Sequence, residues 1–315
     1  MEAFARVLTS AFIINLLAST IRIAAPILLT SLGEIFTEKS GVLNIGLEAQ
    51  MLVGALAGFA GAYYTGNNWL GLLIGLAGGV LMSLLFAFMT VTLRTDQIVV
   101  GITMNIFALG LTTFIYRIMF GVAFIPPTVK PMQEISIPGI STLPFIGPIL
   151  FQQKLLVYII FLLVPIAYFM LNRTTTGLKI RAVGEHPLAA ETTGINVRLT
   201  RYLCIMLSGV GAGLSGAFLA IGQLARFSDN MAAGRGFIAL AIVIFGQWKP
   251  YRAAIAALIF GFSDALQLSL QAVGLRIPEE FLRMIPYLVT IIAMMVVARQ
   301  KSTPTALATP YVKEG

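Results

Sequence analysis

The chain has 315 residues, of which 58% are hydrophobic and only 11% charged, with a formal net charge of +8 and a single cysteine. A soluble domain carries about 25% charged residues, so this chain cannot cover its surface with polar groups and must face lipid. Its apolar runs reach about 20 residues and lack the two-residue alternation of membrane strands, which leaves an all-α polytopic membrane protein. The positive balance is read as basic cytoplasmic loops rather than as nucleic-acid binding.

In chain order, apolar segments fall at 10–33, 42–63, 70–93, 98–120, 153–172, 201–222, 234–248, 253–272 and 282–298, a bundle of about nine transmembrane segments. The first is read as a retained span, since no small-residue cleavage site precedes the next segment. The seventh is short for a crossing and is expected to be a half-helix or re-entrant piece held by its neighbours. Residues 1–300 form one membrane domain, and the polar, Pro/Thr-rich tail 301–315 is expected to be disordered.

The 173–201 connection carries Arg173, Lys179, Arg181, Arg198 and Arg201, whereas the proline-rich 121–152 connection has Lys130 alone among its basic residues. The positive-inside rule puts the first loop in the cytoplasm and the second outside. Arg22 is then an awkward charge within span one, expected to snorkel or to face the bundle interior. Gly pairs four apart in "GALAG", "GLLIG", "GLAGG" and "GVGAG" predict close backbone packing between helices.

Two segments stand out. In Ser31–Ala55 an apolar run is interrupted by Asn44, Glu48 and Gln50. Asn44 and Glu48 share a helix face at i and i+4, and an acidic group inside a span lines a path or clamps neighbouring helices. Asn44, Glu48, Asn105 and Ser208 are the expected polar lining of a translocation path. Tyr116, Phe107 and Phe262 are aromatic candidates for stacking, with packing as the ordinary alternative. The second segment, "RAVGEHPLAAETTG" (181–194), is a wet island in an oily chain. Pro187 suits a first helical turn and Gly194 a left-handed end. A helix so short is not stable alone and must dock on something.

Chemistry is sparse. "GAGLSG" (211–216) spells a dinucleotide fingerprint but lies inside an apolar span, without the strand that the fingerprint requires. No G-x-x-x-x-G-K-[ST] occurs, so any ATP hydrolysis must sit on another chain. The sequon "NRT" (172–174) falls on the cytoplasmic side, where it stays unmodified. His186 is the only histidine, so a metal site is not expected, and neither is a catalytic site or a cofactor.

The island resembles the cytoplasmic coupling motif of ABC importer permeases: Ala189, Ala190 and Gly194 match AA-x-x-x-G, with Leu188 where Glu is usual. "SGVLNIGLEAQML" and "GLKIRAVGEHPLAAETTGINV" are similar to the branched-chain amino acid/ribose-type branch, and more closely to its nucleoside/simple-sugar permeases, of which this chain looks like the shorter member of a pair. The resemblance implies a transport subunit, not an enzyme, in a bacterial inner membrane. It implies a second permease chain, two ATP-hydrolysing subunits and an extracytoplasmic binding protein as partners. It also implies that Gly184, Glu185, His186, Pro187, Ala189, Ala190, Glu191 and Gly194 form a coupling helix pushed by the ATPase. Nucleosides are the expected cargo, with simple sugars or branched-chain amino acids as alternatives. An ion-coupled transporter using Glu48 or Asp264, and a channel or membrane scaffold without energy input, are readings from other classes.

Overall fold

Thr9 opens the first helix, α1 (Ser10–Lys39), by accepting the Phe12 N–H on its hydroxyl at 3.3 Å. At 1.5 Å per residue its 30 residues span about 45 Å, more than the roughly 30 Å hydrocarbon core. The apolar pattern stops at residue 33, yet the helix continues to Lys39 because Glu34 and Glu38 are buried and bonded within the bundle. Pro26 lies inside it and has no N–H for the Arg22 carbonyl four residues back. Gln223 Nε2 donates to that carbonyl at 2.8 Å, so a side chain from another helix repairs the gap.

This computed structural model describes residues 9–121, 126–136, 139, 141, 143–273, 280–281, 284–285, 288–289, 291–292, 295 and 303–311. After a non-helical stretch, 40–46, come α2 (Leu47–Thr65) and α3 (Asn68–Ala87), the latter extended by a π-turn over Phe88–Thr92. α4 (Gln97–Phe120) is capped by Asp96, whose Oδ1 accepts from the N–H groups of Ile98 and Val99 at 2.8 and 3.0 Å. The connection beyond α4 is not all irregular. It holds β1 (Glu134–Ser136), a five-residue α5 (Ile146–Leu150) and β2 (Gln152–Lys154), with Glu134 opposite Lys154 in an antiparallel pair. Then follow α6 (Leu155–Arg173), α7 (Thr175–Glu185), α8 (Pro187–Thr192), α9 (Val197–Ala217, with a π-turn over Phe218–Gln223), α10 (Arg235–Phe245) and α11 (Pro250–Val273).

Among the described residues, six helices are long and apolar enough to cross a bilayer: α1, α3 with its turn, α4, α6, α9 with its turn, and α11. The chain is thus an all-α polytopic membrane protein with one small hairpin. Three of the nine expected segments are not in that set. α2 has 19 residues, 14 of them buried, and its Gly- and Ala-rich sequence packs against protein instead of lipid. α10 has 11 residues, about 16 Å, roughly half the length a crossing needs. The ninth, 282–298, lies largely outside the described residues.

The glycine pairs explain the tight centre. α2, α3 and α9 touch backbone to backbone: a Cβ on Gly54 would lie 2.5 Å from the Gly213 carbonyl oxygen, and one on Gly213 would lie 2.7 Å from the Gly75 carbonyl. Lipid supplies no hydrophobic drive between helices, so this close approach is the packing energy. Arg22 does not face the interior. It pairs with Glu134 of the hairpin at 2.8 Å, both partly exposed, because the turns of α1 near Arg22 reach the hairpin end of the bundle. The hairpin is pinned again by Lys154, whose ammonium donates to the Gly222 carbonyl. Burial, opposed by Glu134, lowers the Lys154 pKa.

Candidate functional site

Three of the polar residues expected to line a path, Asn44, Asn105 and Ser208, meet at the break between α1 and α2. Asn44 is fully buried. Its N–H donates to Glu34 Oε1 at 3.0 Å, its Nδ2 to Ser208 Oγ at 2.9 Å, and its Oδ1 accepts the Gly46 N–H at 3.1 Å. Ser208 continues to Gln50 Oε1 at 3.4 Å. Asn105 bridges the start of α2 from α4, donating to the Ile45 carbonyl and accepting the Ala49 N–H, at 3.0 and 2.9 Å. Irregular backbone within a membrane bundle needs its polar groups satisfied by protein or water, and the side chains of Glu34, Asn44 and Asn105 supply partners for the backbone of residues 44, 45, 46 and 49.

Glu48 has a different partner. Its two carboxylate oxygens accept the N–H groups of Gly234 and Gly236 at 2.8 and 2.7 Å, capping the N-terminus of the half-helix α10 from a neighbouring helix. An acidic group at a helix N-terminus also favours the macrodipole. Beyond the other end of α10, Trp248 Nε1 donates to Glu38 Oε2 at 2.6 Å. Carboxylates of α2 and α1 therefore grip both ends of the short helix. Glu38 and Glu34 are visible as letters in the sequence, but only the tertiary structure shows that they are buried.

Above α10 the chain runs without regular structure over residues 224–234. Ala225, Asn230 and Ala233 have φ of 53°, 54° and 48°, a left-handed region in which non-glycine residues are uncommon and which is often reserved for functional segments. Arg226, Ser228 and Asp229 of this stretch are exposed and, with Tyr116 and Phe227, line a cavity of about 350 Å³ at the end of α4. The Tyr116 and Phe227 rings lie 5.1 Å apart at 37°. Of the aromatic candidates only Tyr116 reaches this cavity; Phe107 and Phe262 are exposed on α4 and α11. Asp264 is partly buried on α11. The sequence reading missed "ARFSDNMAAG", whose cluster of turn-forming residues between two apolar segments was its available signal.

At the other end of the bundle lies the wet island. Thr174 caps α7 through the Gly177 N–H at 3.1 Å, α7 ends at Glu185, and Pro187 opens the six-residue α8. Gly194 has φ +85° and closes the loop as expected. Glu185, His186, Leu188, Ala189, Thr192 and Gly194 are exposed, Pro187 and Glu191 partly so. The two alanines of the motif point different ways, Ala189 outward and Ala190 inward. Successive helical residues point about 100° apart, and Ala190 turns inward, 4% exposed, onto Val183, Val197 and Tyr311. Gly184 is buried against the Lys39 carbonyl, where a side chain would collide.

The tail also departs from expectation. Residues 303–311 are not loose but fold back onto this element. The Ala306 N–H donates to the Gly184 carbonyl at 2.9 Å, Thr305 Oγ1 to Glu185 Oε2 at 2.7 Å, and the Tyr311 hydroxyl to Glu191. Arg201, 2% exposed, donates to the carbonyls of Ser40 and Thr309 at 3.2 and 3.1 Å. Two prolines and several small residues gave the segment a disordered composition, but its ends reach a polar, prebuilt surface. Among the described residues no group of three or more His, Cys, Asp or Glu could hold a metal ion.

Comparison with known proteins gives the family. The family described as branched-chain amino acid transport system / permease component matches residues 16–294. The chain is 40% identical to the guanosine ABC transporter permease protein NupQ of Bacillus subtilis over 304 residues, 94% of this chain and 95% of that one. It is 38% identical to the putative glucose ABC transporter permease protein TsgC13 of Haloferax volcanii, over 84% of this chain and 80% of that one. A second guanosine ABC transporter permease protein of Bacillus subtilis, NupP, is 29% identical over 77% of this chain and 70% of its own. No solved structure matches the chain.

Proposed function

From a chain that belongs to the branched-chain amino acid transport system / permease component family, we propose the following working unit: the membrane subunit of an ATP-driven importer of nucleosides in a bacterial inner membrane. The chain is a transport component, not the enzyme of the system. Its partners are a second, longer permease, two ATP-hydrolysing subunits and an external binding protein that delivers cargo. The pairing is supported by similarity to two differently named guanosine permeases of one bacterium. The full set of nine segments is part of the proposal, with α2 and α10 as protein-buried pieces and 282–298 as the last span.

The observation that carries the reading is the 40% identity to a guanosine permease along nearly the whole of both chains. Geometry supports the mechanical half. The element formed by the end of α7, α8 and the loop to Gly194 offers Glu185, His186, Ala189 and Gly194 to a soluble partner, while Gly184 and Ala190 seat it on α1 and α9. A push on α8 then tilts spans as rigid bodies, the usual form of access switching. Asn44, Glu48, Asn105 and Ser208 act as the frame of the path, holding its broken helices. The 224–234 stretch, with Arg226, Ser228 and Asp229 exposed, and the Tyr116 cavity form its outer mouth, where weak polar and stacking contacts suffice because the binding protein supplies affinity.

Two measurements test this. In a strain lacking the chain, uptake of labelled guanosine and adenosine should fall to background and return with the gene. Intact nucleoside uptake with lost glucose uptake would move the cargo to simple sugars, a second reading favoured by the Haloferax relative. Ala189→Arg should abolish co-purification of the ATPase while leaving membrane insertion intact. Gradient-driven uptake by this chain alone in proteoliposomes would instead make it a secondary transporter.

A further inference from the structure

The end of the chain is where a sequence reading expects nothing, yet residues 303–311 make several separate contacts with the α7–α8 element. Resting on the coupling reading above, we infer that this segment, with Tyr311 and Arg201 as its positioning residues, fastens α8 to the inner ends of α1 and α9, so that a push on α8 moves the spans instead of bending the loop.

The case starts from α8 itself. Six residues make less than two turns, and isolated helices shorter than about 12 residues are marginal in water. No side chain caps its N-terminus at His186. Its rigidity must come from what it rests on, a small apolar cluster of Val183, Ala190, Val197 and Tyr311. Tyr311 is the one large ring in that cluster and is contributed from 120 residues further along the chain. The Tyr311 hydroxyl then donates to Glu191 on the partly exposed side of α8, so the ring and its tip fix both the depth and the rotation of the helix.

The segment also ties the element to the bundle. Its Ala306 N–H takes the Gly184 carbonyl at the end of α7, and Thr305 takes Glu185 beside it. Arg201 of α9 reaches the Thr309 carbonyl with one nitrogen and the Ser40 carbonyl at the end of α1 with another. One guanidinium, rigid and forked, thereby joins α9, the end of α1 and the tail. A force on α8 reaches α1 by two routes, the Gly184 seat on Lys39 and the tail–Arg201 bridge. Without the tail the bridge to Thr309 is lost, and α8 loses the ring beneath it.

The test uses the complete transporter, with both permeases, the ATPases and the binding protein, in proteoliposomes. The readout is cargo moved per ATP hydrolysed, which a merely structural role would leave unchanged. For a chain ending at Ser302 and for Tyr311→Ala, the ATPase should still co-purify and hydrolyse ATP, with the transport ratio reduced about five-fold or more, the lower range of site-to-site coupling. Tyr311→Phe should give a smaller loss in the same direction. A Tyr311→Cys/Val197→Cys pair, two positions of the same buried cluster, should show the reduced ratio with free thiols and regain it once the two are cross-linked; the native Cys204 is buried and out of reach. An unchanged ratio after truncation would overturn the inference. Loss of ATPase co-purification on truncation would also overturn it, by making the tail a docking surface. If truncation prevents insertion, Tyr311→Phe and the cross-link rescue decide. Failure of the parent reading shows separately, as ATPase retained by Ala189→Arg.

Discussion

The broken-helix centre around Asn44, Glu48 and α10 and the wet element around α8 are both polar islands, but they use their polar groups in opposite ways. In the centre, Asn44 Oδ1, both polar atoms of the Asn105 amide and both Glu48 carboxylate oxygens are bonded to backbone that the breaks leave open. At α8, Glu185, His186 and Thr192 stay exposed on the outside while a few contacts secure the inside. The contrast teaches that in this chain the buried polar residues Asn44, Asn105 and Glu48 serve backbone repair first. Availability to a partner has to be read from exposure.

The comparison can be broken most severely at the centre. Gly213→Leu should prevent α3 and α9 from meeting, because even a Cβ there would lie 2.7 Å from the Gly75 carbonyl and 2.9 Å from the Gly79 Cα; the expected outcome is loss of folded protein in detergent-solubilised membranes by size-exclusion profile. Glu48→Leu leaves the N–H groups of Gly234 and Gly236 without their acceptor. At about 1–3 kcal/mol for each unsatisfied buried group, a large drop in thermal unfolding temperature should follow, partly rescued in Glu48→Gln. Gln223→Leu removes only the donor that repairs the Pro26 gap. Hydrogen bonds between membrane helices average about 0.6 kcal/mol, so the melting temperature should fall by a few degrees at most. Arg22→Ala should change stability least, by about 0–1 kcal/mol, since its pair with Glu134 is partly exposed and screened by salt. If Arg22→Ala proved as damaging as Glu48→Leu, the distinction between repair and surface decoration would fail.

Much of the scaffold was readable from the letters. Apolar runs gave helix positions to within a few residues for α3, α4, α6 and α11, and the shortness of 234–248 foretold α10. The glycine pairs foretold the packing of α2, α3 and α9, and Pro187 with Gly194 foretold the limits of the α8 loop. The candidate site was less legible. Asn44, Glu48, Asn105 and Ser208 were found as polar letters in oily surroundings, but hydropathy gives a residue's oddity and not its partner. The inward turn of Ala190 was not readable, because a motif does not say which way a short helix is rolled. Arg226, Asp229 and Tyr311 were passed over, since a loop's shape and a tail's resting place depend on surfaces formed by distant elements.

By itself the sequence determined that this chain lives in lipid, that its spans are helical and that it keeps one water-loving element between its fifth and sixth long apolar segments. These are consequences of local composition and period, which act over a few turns of chain. Only the tertiary structure decided that Glu48 and Glu38 grip the two ends of α10, that Arg22 meets Glu134, and that the last described residues return to brace α8. Each of those is a meeting of groups more than a hundred residues apart, and such pairings are chosen by what burial leaves unsatisfied, which no local pattern records.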